Sequence, residues 1–187
     1  MLRAFYVAPG SLPLDPALED VFVASMLSTR TGPDHYPGDA AATEVWPGTA
    51  PGERGVLNTM APTVLDLSDV TELPVKPPVL WVRGDADAIV SDTSVFDLAF
   101  LGSVGAVPGW PGDDVFPAQP MVTQTRSVLD RYAASGGSYR EVLLPGVGHS
   151  PHVERPEEFT LALLEHLAKP ALAPSNTPET PGPDDIG

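Results

Sequence analysis

The chain has no cysteine, few cations and no long apolar run. Without cysteine there is no disulfide framework, no thiolate nucleophile and no cysteine-based zinc site, so the redox compartment is left open. Only 10 Lys and Arg stand against 25 Asp and Glu, a net charge of −15 and a pI near 4.3. That balance argues against a phosphate-binding surface, and so against a nucleic-acid partner. No apolar stretch approaches the roughly 20 residues of a membrane span. The opening "MLRAFYVAPG" is broken by proline and glycine before a signal-peptide core can form. A soluble, cytoplasmic protein without a membrane partner is the expectation. What is present is a hydrophobic content of 42% over 187 residues, enough for a core, and 23 prolines, which imply many turns.

Three regions follow from the pattern. Residues 1–75 are mostly irregular, broken by "TGPDHYPGD" and "WPGTAPGERG". Their best helix candidate is "DPALEDVFVASMLSTR", with Asp15 as cap, Pro16 at the first helical position, and Leu18, Val21, Phe22, Ser25 and Met26 on one stripe. Residues 76–169 alternate strand and helix. "VLWV" reads as a strand apolar on both faces, hence buried in a largely parallel sheet with Trp81 in the core. "QPMVTQTRSVLDRYAASGG" follows as a helix ended by Gly136 and Gly137, with Met121, Thr125, Val128, Leu129 and Tyr132 on one face. "YREVLLPG" is a second strand, and "RPEEFTLALLEHLAK" a second helix with Pro156 at its start. That order predicts an α/β fold, a partial parallel sheet with flanking helices and an irregular helical covering. Residues 170–187 are expected to be a disordered acidic tail.

Groups that do chemistry in open parallel sheets gather beyond the carboxyl ends of the strands. Asp87 and His149 occupy two such positions, 62 residues apart. A carboxylate can hold an imidazole in one tautomer and stabilise its cation, which is what a general-base histidine needs. The plainer readings are a loop histidine bonded to a carbonyl and a turn aspartate capping the next segment. Asp85 reads as a turn residue, His152 as a packing neighbour, His166 as solvated and His35 as a loop histidine. Trp46 and Trp110 read as packing anchors.

At Asp87 and His149 the sequence resembles the α/β-hydrolase superfamily. "GDADAIV" after its strand matches the family's Gly-x-x-Asp pattern, which gives Asp87 the role of orienting the histidine. "GVGHSPHVERPEEF" matches the late Gly-His loop and closing helix, which gives His149 the role of base. The resemblance covers Pro77 to Lys169, and residues 1–75 resemble the family's cap, with "SDTSVFDLAFLGSVGAVPGWPG" as an insertion at the mouth of the site. It implies hydrolysis of a small ester, amide or related substrate, with no metal or organic cofactor. Relatives with an aspartate nucleophile open epoxides or remove halide instead.

The family's nucleophile elbow, Gly-x-Ser-x-Gly before the aspartate, is missing from this sequence. "LGSVG" has Leu101 in place of the first glycine and follows Asp87, so Ser103 is not the nucleophile. The expectation is therefore a cap plus the carboxy-terminal half of such a hydrolase. A truncated product, a misplaced start codon or a pseudogene would each give this pattern. Such a chain is expected to be inactive alone and to self-associate through an exposed sheet edge. The alternative is a binding or partner module built on half the fold. The Asp-x-Asp motif of magnesium-dependent phosphotransferases of the haloacid dehalogenase type is set aside, because Ile89 stands where a hydroxyl residue belongs.

Overall fold

A computed structural model describes residues 2–9 and 15–168. The tail expected over 170–187 lies outside the described residues. The content is mixed α/β, with one antiparallel and one parallel strand pair among the described residues.

The first segment is a short π-helical turn, Leu2–Tyr6, closed by Val7 N–H donating to the Leu2 carbonyl. Helix α1 (Pro16–Leu27) begins as the sequence predicts. The Asp15 side chain accepts from the Ala17 amide, satisfying one of the donors a helix start leaves free, and Pro16 follows. Its inward stripe is narrower than expected. Phe22 and Met26 pack on Leu2 and Val7, but Leu18 and Val21 are exposed, at 41% and 63%. Strands β1 (Ala40–Ala42) and β2 (Thr49–Pro51) pair antiparallel beside the buried Asn58 amide, which donates to the Asp39 and Arg54 carbonyls.

The parallel pair is β3 (Val79–Gly84) and β4 (Tyr139–Leu144), in register from Val79 opposite Tyr139 to Gly84 opposite Leu144. The crossover between them carries helices α2 (Leu98–Ser103) and α3 (Met121–Ala134). The α3 face is the one the spacing predicts. Tyr132 is 1% exposed and its hydroxyl donates to the Pro77 carbonyl, tying α3 to the start of β3. Gly136 ends the helix at φ +97°, a conformation that favours glycine. Helices α4 (Pro151–Glu154) and α5 (Pro156–Leu167) follow β4, and both pack against β3.

Strand β3 departs from the expectation of full burial. With β4 as its partner, it is half-buried along Val79 to Arg83 and buried only at Gly84. Trp81 is correspondingly half-buried rather than core. The Arg83 and Arg126 guanidinium groups lie over its ring at 5.3 and 5.7 Å, and both also bond Glu141. Because β4 carries Glu141 opposite Trp81, this face of the sheet is held by charge as well as by apolar contact, while Arg140 on the other face bonds Glu165 and the Ala162 carbonyl of α5.

Candidate functional site

The loops leaving β3 and β4 are stitched together at their carboxyl ends. Asp85 N–H donates to the Leu144 carbonyl, Ala86 N–H to the Val147 carbonyl, and Gly146 N–H to the Asp85 carboxylate at 2.6 Å. Asp85 is thus a turn residue, as its position predicts. The two backbones meet so closely at Gly84 that a Cβ there would sit 2.6 Å from the Gly148 carbonyl oxygen and closer still to that of Val147. Gly146, at φ +68°, turns the second loop back over the first.

This stitching brings Asp87 and His149 together. Asp87 Oδ2 lies 2.9 Å from His149 Nδ1. Asp87 Oδ1 accepts from the Ile89 and Val90 amides at 2.7 and 3.0 Å, which fixes the plane of the carboxylate. Its side chain is 9% exposed, whereas that of His149 is 32% exposed. An ionised carboxylate can only accept, so Nδ1 carries a hydrogen, and in the neutral ring Nε2 presents its lone pair. Among the described residues, Asp87 is the one hydrogen-bond partner of the imidazole. The Tyr6 ring meets the imidazole edge to face, with centroids 5.6 Å apart.

The segment after Asp87 is braced from several sides. The buried Ser94 hydroxyl donates to the Ile89 carbonyl and accepts from the Phe96 amide. Asp92 accepts from the Thr123 hydroxyl and amide, and the hydroxyl bond foremost holds its carboxyl below the usual carboxylate range. Asp97 caps α2 through the Ala99 amide and also accepts from the Gln119 amide. Ser103 ends α2 with its hydroxyl donating to the Phe100 carbonyl, a helix-terminal role.

The remaining residues singled out in the sequence stand apart from this pair. His152 is exposed and packs edge to face on Phe159. His166 is half-buried on α5 rather than solvated, and the His35 carbonyl accepts from the Val56 amide. Trp46 and Trp110 are anchors, with indole N–H groups donating to the Pro108 and Phe116 carbonyls. No cluster of three or more His, Asp or Glu among the described residues could hold a metal ion. Nor is any described helix long and apolar enough to cross a membrane.

Two features of the site were not read from the sequence. One is an open groove of about 430 Å³, lined by Leu2, Tyr6, Val23, Met26, Leu27 and Tyr36 among others. Tyr6 belongs both to this groove and to the surroundings of His149. The other is Glu154, 7% exposed, whose carboxylate accepts from the Ala8 and Gly148 amides. The Leu2–Tyr6 turn is too short to show a periodicity. A glutamate between an apolar residue and Arg155 reads as an ordinary polar helix end.

No protein-family model matches the chain, and no solved structure matches it. It is 53% identical over 51 residues to a curated protein, epoxide hydrolase A of Mycobacterium tuberculosis. The match covers 27% of this chain and 15% of that protein's length.

Proposed function

We propose that Asp87 and His149 form the acid–base half of a hydrolase site of α/β-hydrolase type, acting on a small ester, amide or related substrate. The observation that carries this reading is the 2.9 Å contact of Nδ1 with a carboxylate whose other oxygen is already held by two amides. That arrangement leaves Nε2 as the working nitrogen. It would take the proton from an attacking hydroxyl or water while Asp87 stabilises the imidazolium, and would return that proton to the leaving group. Without a nucleophile, such a base gives only modest help to water, on the order of 10²–10⁴-fold. The reading therefore calls for a nucleophile-bearing segment beside the pair.

The match to an epoxide hydrolase, at 51 residues too short to span both Asp87 and His149, suggests a second reading in which the substrate is an epoxide. The oxygen of water bonds to one epoxide carbon as that carbon's bond to the ring oxygen breaks, His149 takes the water proton, and the proton is returned through solvent to the freed alkoxide, giving a diol and a neutral imidazole.

One experiment tests both. Purified chain is assayed on activated short-chain esters and on styrene oxide, alone and with a co-expressed strand–elbow–helix segment bearing serine or aspartate. The expected result is no His149-dependent turnover alone, and turnover with one of the segments that His149→Ala abolishes. The substrate that turns over separates the two readings. If every pairing is indifferent to His149→Ala, both are lost and the binding-module alternative stands.

A further inference from the structure

We propose that Glu154 is a positioning residue for His149, clamping the segment that carries Tyr6 onto the histidine loop. The proposal rests on the reading of His149 as the working base. Glu154 Oε2 accepts from the Ala8 amide at 2.9 Å and Oε1 from the Gly148 amide at 2.8 Å. The two amides belong to segments 140 residues apart, and each adjoins a residue of the site: Gly148 precedes His149, and Ala8 lies two positions after Tyr6. One buried carboxylate thus fixes the distance between the imidazole and the ring that packs on it.

The surroundings leave this contact little freedom. Ala8 is 3% and Val7 2% exposed, so both backbones have left water and their amides need partners. A Cβ on Gly148 would sit 2.7 Å from the Ala8 amide nitrogen, so the two chains approach as closely as a glycine permits. Val7 and Leu2 pack with Val153, the residue before Glu154, so the apolar contact and the carboxylate bonds come from the same turn of chain. Tyr6 also lines the apolar groove. The clamp therefore sets where that groove stands relative to Nε2, and its loss should misplace the groove while leaving the Asp87 bond intact.

The substitution that isolates this role is Glu154→Gln. The amide keeps one accepting oxygen but turns an NH₂ group toward the second backbone N–H, so one of the two bonds is lost with little change in shape. The readout is the nuclear Overhauser contact between the Tyr6 and His149 rings, followed together with the His149 tautomer. The expected result is a ring contact reduced by more than half with the tautomer unchanged. A merely structural glutamate would lower the melting temperature and leave that contact as it is, and an undiminished contact overturns the proposal. Should the variant not fold, amide exchange in the unaltered protein decides. The Ala8 and Gly148 amides should both exchange on the order of 100-fold more slowly than free peptide, and unprotected exchange at either one overturns the clamp. Failure of the acid–base reading shows elsewhere, as a His149 tautomer that does not depend on Asp87.

Discussion

Gly84→Ala is the smallest change that should separate the two site loops. Gly84 is the last residue of β3, buried and paired with Leu144. The added methyl would lie 2.6 Å from the Gly148 carbonyl oxygen and inside the contact distance of the Val147 carbonyl. An ordinary carbon–oxygen approach is about 3.3 Å. The loop would therefore have to retreat by roughly 0.7 Å from the more distant of the two oxygens, and further from the other. Neither obstacle is a side chain that can swing away. Both are backbone, and Val147 is fully buried, so the retreat also strains the bond from Ala86 N–H to the Val147 carbonyl. Overpacking costs about 1–3 kcal/mol and a lost hydrogen bond about 1 kcal/mol more, so the expected loss is about 2–4 kcal/mol. Denaturant unfolding measures it, and the Asp87–His149 contact should weaken in parallel. A variant within about 0.5 kcal/mol of the unaltered protein, the scale of an ordinary surface substitution, would refute the close approach.

Two further outcomes follow from the same geometry. Glu141 is held below the usual glutamate range, first by its bond from Arg126 and then by Arg83. Its contribution is complete above the ordinary value of 4.5 and is lost as pH falls through its depressed folded value. Glu141→Gln should therefore flatten the acid-side fall in stability, and an acid limb unchanged by the substitution would count against the network on Trp81. Ser103, bonded to the Phe100 carbonyl at the end of α2, should not react with a fluorophosphonate probe. Stoichiometric labelling at Ser103 by mass spectrometry would reopen its role as nucleophile.

The elements that carry the site were legible because their signals are local. Asp15 before Pro16, Gly136 after α3 and Pro156 at the start of α5 each mark a boundary by backbone chemistry alone. The parallel pairing of β3 with β4 follows from two apolar runs joined by a helical crossover. Burial was less legible, because it depends on what covers a strand. "VLWV" reads as fully buried, yet the strand has one neighbour among the described residues and Trp81 lies beneath two arginines. Helix α2 is obscured by the Gly and Pro around it, although Asp97 at its cap is a usable sign. The Glu154 clamp joins residues 146 positions apart and could be found only in three dimensions.

If Asp87 sets the tautomer of His149, nitrogen-15 spectroscopy of the imidazole should show it. In the unaltered protein at neutral ring charge, Nδ1 should carry the hydrogen and Nε2 the lone pair. In Asp87→Asn the oxygen of the new amide should stay at the Oδ1 position, because the Ile89 and Val90 amides both donate there. Its NH₂ group then faces Nδ1, which must accept, and the hydrogen moves to Nε2. The predicted result is a reversal of the two nitrogen shifts between the proteins. The same tautomer in both would contradict the account.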